Sequence, residues 1–179
     1  MKNRIIHNFP FLIVFQLLIF SVFSQQVEIR FNHLSINDGL SQSTVYSVIQ
    51  DDDGFMWICT QDGLNKYDGY NVYQYKKQIN NTNTISDSYV NTICKGHQGG
   101  LWIGTQRGLN YYDRKTQEFH HIKLSGQLDK INVGKIVADK KGRVWIGTVK
   151  YGLICYNYRD STHQVFNINN GLPSNKIAD

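Results

Sequence analysis

Few residues in this chain are spaced for chemistry. Three cysteines, Cys59, Cys94 and Cys155, lie far apart with no C-x-x-C pair. An odd count at wide spacing argues against both a disulfide framework and a zinc site. Each falls in an apolar, strand-like run, where a free Cys behaves as a small hydrophobe. Asp51, Asp52 and Asp53 form the densest group of carboxylates. Hydrolase or lyase chemistry needs carboxylates that converge across space, or a nucleophile beside its base. Adjacent residues on one turn do not meet that need, and the aligned stretches read Gly96-His97-Gln98 and Asp139-Lys140-Lys141. A solvated turn accounts for them better. Thr60, Thr105 and Thr148 each follow a Trp by three residues, as β-formers or as hydrogen-bond partners of the next turn. No catalytic, cofactor-binding or metal-binding residue is assigned, and the ligand-binding residues are left open.

The elements that would position any site come from a repeat. Trp57, Trp102 and Trp145 lie 45 and 43 residues apart in matching surroundings. Gly54, Gly99 and Gly142 precede them by three residues, and Gly63-Leu64, Gly108-Leu109 and Gly152-Leu153 follow. The third copy carries one extra residue before its Gly-Leu. Within the first unit, Val45 to Gln50, Phe55 to Thr60, Leu64 to Tyr67 and Val72 to Tyr75 read as short strands separated by Asp/Gly turns, the strongest hairpin signal in a sequence. Four strands in a unit of about 44 residues, with Gly and Trp at fixed places, is the signature of a β-propeller blade. The expected fold is therefore all-β, with blades of four antiparallel strands at about 40–78, 85–124 and 129–169. The Trp should bury roughly 150–250 Å² between neighbouring sheets. The glycine before it should supply a turn conformation that other residues enter at a cost.

The phase of the repeat adds an expectation at each end. Phe31-Asn32 and the following residues to Gly39-Leu40 resemble Phe166-Asn167 to Gly171-Leu172. Since Phe166 lies in an outer strand, an N-terminal closing strand is expected before the first blade. Such a strand would complete the last blade of a ring and remove exposed sheet edges. Gly171 to Ile177 matches Gly39 to Val45 at an offset of 132 residues, so a fourth blade begins at about 171. Three blades do not close a ring, and the segment 25–179 reads as a partial propeller.

Residues 1–24 differ in kind. Lys2 and Arg4 precede an apolar run from Phe9 to Phe23, with Val22 and Ser24 at −3 and −1 of a cut before Gln25. This is the layout of a secretory signal peptide, and the run is short of the roughly 20 residues that span a bilayer. Removing it takes the basic excess from +5 to +3. The only dense basic cluster is then Lys140, Lys141 and Arg143, on one turn. No nucleic-acid module is recognisable.

The motif D-x-x-G-x-x-W-I-G-T-x-x-G-L-x-x-Y-D resembles the two-component regulator propeller repeat of the periplasmic sensor regions of hybrid two-component histidine kinases. The likeness covers residues 30 to 179, with Cys59 in place of the usual Gly and Tyr151 in a one-residue insertion. It implies an extracytoplasmic ligand-sensing module, a carbohydrate ligand, and a parent anchored in the inner membrane. The implied partners are an oligosaccharide, the remaining blades and downstream signalling domains of the same protein, and a second copy in a homodimeric receptor. Histidine kinase activity is expected only beyond residue 179. No kinase box lies in this chain, so none of its histidines is the phosphorylated one. Asn80 to Asn83, Tyr70 and Tyr111 are compatible with stacking on and hydrogen-bonding a sugar, and equally with ordinary turns and strands. The alternative is a cell-surface structural or partner-binding propeller without signalling output.

Overall fold

The computed structural model describes residues 31–97 and 99–177. The signal-peptide reading of residues 1–24 lies outside them. Twelve strands follow in chain order, and each repeat folds into its own sheet. The first holds β1 (Val45–Gln50), β2 (Met56–Thr60), β3 (Gly63–Tyr67) and β4 (Val72–Tyr75). The second holds β5 (Val90–Lys95), β6 (Leu101–Thr105), β7 (Gly108–Asp113) and β8 (Glu118–Ile122). The third holds β9 (Val133–Ala138), β10 (Arg143–Thr148), β11 (Leu153–Asn157) and β12 (Thr162–Phe166). All neighbours are antiparallel meanders, and the three sheets form no closed ring.

The registers repeat with the sequence. The residue opposite each Trp on the preceding strand is Ile49, Cys94 or Val137, and the residue opposite on the following strand is Lys66, Tyr111 or Cys155. Each first hairpin also carries one irregularity where its inner strand begins. A bulge of this kind bends a strand and raises its twist.

Two apolar seams hold the sheets together. Trp57, Cys59, Leu64, Ile85, Ile93, Leu101, Tyr112 and Phe119 belong to the first, between sheets one and two. Trp102, Leu109, Ile131, Ile136, Val144, Ile146, Ile154 and Tyr156 belong to the second, between sheets two and three. The middle sheet is covered on both faces, and every residue of β6 is buried. Its sequence Leu-Trp-Ile-Gly-Thr therefore shows no alternation, as expected for a strand enclosed on both sides.

Trp57 is fully buried and Trp102 nearly so, whereas Trp145 is half-buried and stacks on Phe166 with ring centroids 6.0 Å apart. Cys59 and Cys94 take part in this packing, and Cys155 lies outside both seams. Burial pushes the Cys59 thiol well above its ordinary range and the Cys94 thiol up to about 11.

The recurring Thr is a turn-holding residue. Thr60 Oγ1 donates to Gly63 O at 2.9 Å and accepts from Asp62 N at 3.2 Å. Thr105 does the same with Gly108 O and Arg107 N, and Thr148 with Gly152 O and Tyr151 N. In the first two sheets a clamp forms around it. Asn65 Oδ1 accepts from Ser41 N, Asn65 Nδ2 donates to Ser41 Oγ, and Ser41 Oγ lies 2.8 Å from Thr60 Oγ1. Ser86, Thr105 and Asn110 repeat that set. In the third sheet the position paired with the central Ile is Ile154, where the others have Asn65 and Asn110. Asp129 stands 19 residues before Thr148, as Ser86 stands before Thr105.

The closing strand is expected to complete the last blade of a ring, and none of the three described sheets is that blade. Phe31 to Ser35 is in no strand, and each of the three sheets already has its fourth strand from its own repeat. What does recur is a capped 3₁₀ turn. Ser35 caps Ile36–Asp38 and Asn167 caps Ile168–Asn170, each with a capping box and a left-handed glycine, Gly39 or Gly171, at the far end. This pairs Ser35 with Asn167, and so Leu34 rather than Phe31 with Phe166. The likeness of the two segments is one of turn chemistry. At the other end, Ile177 N donates to Thr148 O and Gly152 N to Asn175 O, so the segment after Gly171 is tied back to the third sheet.

Candidate ligand-binding site

The first turn of each sheet is built on one pattern. In sheet one, Asp51 N donates to Phe55 O at 2.9 Å and Gly54 N to Asp51 O at 3.2 Å, with Gly54 at φ 90°. Asp139 N to Arg143 O (2.8 Å) and Gly142 N to Asp139 O (3.3 Å) repeat this in sheet three, with Gly142 at φ 85°. The aspartate also reaches inward. Asp51 Oδ1 accepts from Asp53 N and Phe55 N, and Oδ2 accepts from Trp57 Nε1 at 2.8 Å. Asp139 accepts from Lys141 N, Arg143 N, Arg143 Nε and, at 3.1 Å, Trp145 Nε1. Asp51 is 5% exposed. The solvated-turn account of Asp51 is therefore corrected: its carboxylate joins the turn to the core indole. The first position of the motif needs an acid because four-lone-pair acceptors can satisfy several N–H groups at once.

Asp139 titrates accordingly. Burial works to raise its pKa, but hydrogen bonds from the Arg143 backbone, Trp145, the Arg143 side chain and the Lys141 backbone outweigh it and hold the carboxyl well below the usual range. A depressed native pKa contributes stability above the unfolded value of about 4, lost as pH falls towards the native one. Asp139→Asn should therefore be less stable than the parent at pH 7, with the gap closing below about pH 4. Urea unfolding at several pH values measures this.

Sheet two keeps the turn and loses the acid. Gly96 N donates to Gly100 O at 2.8 Å and Gly99 N to Gly96 O at 3.4 Å, with Gly99 at φ 77°. Gly96 now stands where Asp51 and Asp139 stand, and Gly100 where Phe55 and Arg143 stand. The Tyr111 ring has moved into the space of the second lost side chain, since a Cβ on Gly100 would overlap its phenol. Around the Trp102 indole the result is a cavity of about 190 Å³, lined by His97, Trp102, Tyr111, Ile122, Tyr156 and Tyr158. Ring centroids lie 4.8, 6.0 and 6.2 Å from Trp102 to Tyr111, Tyr156 and Tyr158.

The first seam holds the equivalent positions quite differently. They are Asp52, Trp57, Lys66, Tyr75, Tyr112 and Arg114. Lys66 Nζ sits 3.8 Å from the centroid of Phe55, Asp52 bonds Lys95 at 2.7 Å, and Arg114 pairs with Asp52 and Asp53. Trp57 is closed in by Tyr75 and Tyr112 at 5.7 and 5.0 Å. Charge and aromatic filling close one seam, and two glycines open the other.

His97 fixes the rim of the cavity by donating from Nε2 to the Asp139 carbonyl, across to sheet three. Burial, with lesser effects from Asp113 and Tyr158, raises the Tyr111 pKa despite the Gly100 backbone N–H, so the phenol stays neutral. Four aromatic rings, a neutral phenol and an indole N–H form a surface for a ring-shaped, hydrogen-bonding ligand. The cavity is below the roughly 300–1,000 Å³ of pockets for drug-sized ligands, and so suits one ring.

A second pocket, about 240 Å³, includes Lys77, Arg107, Lys123 and Lys130 with Asp129 in its lining. It sits by the β6–β7 turn, at the opposite end of the middle sheet. Of the residues compatible with sugar contact, Tyr111 lines the aromatic cavity, Tyr70 is 91% exposed, and Asn81 and Asn83 hold the loop before sheet two. The recurring Gly63, Gly108 and Gly152 follow the second strands with φ between 85° and 143°. Trp102 and Tyr156 are the repeated residues that line the aromatic cavity. The site's one sequence signal is the departure of the second repeat from its motif at Gly96 and Gly100.

Comparison with known proteins agrees with this architecture. The two component regulator propeller family matches at residues 39–62, 84–107 and 127–150. A histidine kinase P4 of Formosa agariphila is 38% identical over 74 residues, 41% of this chain and 5% of the kinase. Among solved structures, the extracellular domain of a protein assigned to the hybrid two-component systems of B. thetaiotaomicron superposes with a TM-score of 0.73 at 29% identity. It covers 81% of this chain and 21% of that one. PorZ, a surface component of the type-IX secretion system of Porphyromonas gingivalis, shares the fold at a TM-score of 0.63 and 19% identity, over 80% of this chain and 24% of its own. The chain thus spans about a fifth of these solved relatives. Three tandem matches on three four-stranded sheets identify the repeat: the chain carries three two-component regulator propeller repeats.

Proposed function

We propose that this chain is part of the extracytoplasmic ligand-sensing propeller of a two-component signalling receptor, and that the ligand is a carbohydrate. The observation that carries the reading is the likeness to a two-component extracellular domain at 29% identity over 81% of the chain. The aromatic cavity supports a sugar, because apolar ring faces stack on aromatic ones while hydroxyls meet the indole and phenol groups at its edge. Signalling would then work as a population shift. A sugar that binds one arrangement of the receptor more tightly than another biases it by its differential affinity, typically about 1–3 kcal/mol. Kinase activity belongs to the parent receptor, not to these blades.

The test is binding by the complete ectodomain against a panel of oligosaccharides, read by calorimetry. Saturable binding of at least one glycan is expected. No saccharide binding across the panel would remove the carbohydrate reading. Absence of a kinase from the parent reading frame would remove the signalling one.

A further inference from the structure

The three first turns form an internal comparison within one chain. Backbone geometry is shared, and in two of them an aspartate oxygen accepts from the core indole, at 2.8 Å in sheet one and 3.1 Å in sheet three. In sheet two Gly96 supplies no acceptor. A Cβ built there would lie 3.1 Å from Trp102 Nε1, so the indole N–H faces the place where the acid begins in the other sheets. Trp102 is 3% exposed, and among the described residues no side chain or carbonyl takes its indole N–H as Asp51 and Asp139 do for Trp57 and Trp145. Among the described residues no fully buried side-chain N or O lacks a partner, so this N–H opens onto the cavity.

A buried N–H with no fixed acceptor discriminates strongly between ligands, since one that offers no oxygen forfeits the bond. The rest of the wall narrows the ligand further. Tyr111, Tyr156 and Tyr158 supply aromatic surface and Ile122 an aliphatic one, so the body of the ligand is a ring. A cation is disfavoured despite the aromatic lining. The indole presents its positive N–H edge here, His97 stands at the rim, and among the described residues no carboxylate lines the cavity.

From these observations we infer that the Trp102 cavity is a binding site for a single pyranose ring whose hydroxyl or carboxylate oxygen accepts from the Trp102 indole, in the role the aspartate plays in the other two sheets. The assignment rests on the saccharide reading above and adds the residue, the atom and the size of the unit bound.

The chain has three tryptophans, so a sample labelled with ¹⁵N at the indole gives three N–H signals. Methyl glycosides of common hexoses and hexuronic acids are titrated one at a time, with tetramethylammonium as the cationic control. At least one glycoside should move the Trp102 signal downfield, with affinity roughly millimolar for one ring, while Trp57 and Trp145 keep their signals. Gly96→Asp should abolish that shift and leave the urea midpoint unchanged or higher, because it restores the internal acceptor. Tyr158→Ala should weaken binding roughly tenfold with all three signals retained.

A Trp102 signal moved by no glycoside overturns the inference, as does unchanged binding by Gly96→Asp. Calorimetric binding of a glycoside that leaves Trp102 unmoved also overturns it, but leaves the saccharide reading standing. Movement by tetramethylammonium alone overturns the ligand chemistry. Absence of both heat and shift for every glycoside, together with failure of the ectodomain panel, brings down both readings.

Discussion

Trp57→Ala is expected to destabilise the chain by about 3–5 kcal/mol, the range for deleting a large buried aromatic. With a urea slope of about 2 kcal/mol/M, the midpoint would fall by about 2 M. The size follows from three losses at one site. The side chain is fully buried in the first seam, it packs against Tyr75 and Tyr112, and it donates to Asp51. Removing the indole leaves a cavity and strips a buried carboxylate of one donor. Trp145→Ala is the control. That indole is half-buried, covered on one side by Phe166 and Arg143, so its loss should cost less than half as much. Equal costs for the two would show that the Trp contributes within its own sheet rather than between sheets.

The second large effect is expected at Gly152. Its φ is +85°, which costs a residue with a Cβ about 1–2 kcal/mol, and the added methyl would approach the Phe166 carbonyl oxygen far inside 3.0 Å. That oxygen belongs to backbone and cannot rotate away. Gly152→Ala should therefore separate β11 from β12 where Leu153 pairs with Phe166, and it should disturb the Gly152 N to Asn175 O bond that ties down the last segment. Hydrogen exchange should show lost protection in β12 and around Ile177 while β1 to β8 stay protected. Uniform loss across all three sheets would mean that they unfold as one unit.

The repeat was legible because a blade writes its strands locally. Asp-Gly turns, a Trp at fixed spacing and Gly-Leu pairs each act over a few residues, so aligning three copies reveals the sheets. The role of Asp51 was harder to read. Next to Asp52 and Asp53 it looks solvated, and only the hairpin register brings it under Trp57, six residues on. The cavity was harder still. Trp102 meets Tyr158 across 56 residues, and the contact depends on how one sheet lies against the next. The sequence does print its cause, Gly96 and Gly100 in place of an acid and a larger side chain, but a missing side chain says nothing until its surroundings are known. The likeness of Phe31 and Phe166 is hard to place for a related reason: the element the two segments share is a capped turn, which needs only Ser35 or Asn167 and a glycine four residues later.

The unlike filling of the two seams makes solvent composition a directional variable for this molecule. Across the first seam, the Asp52–Lys95 pair is exposed, so added salt screens it within a Debye length of about 8 Å. Across the second, the aromatic and aliphatic contacts tighten when sulfate or phosphate is excluded from the surface. Excluded salts therefore strengthen the apolar cores of both seams, and only at the junction of sheets one and two is part of that gain offset by screening of ion pairs. The middle sheet is thus held from its two sides by forces of unequal ionic response.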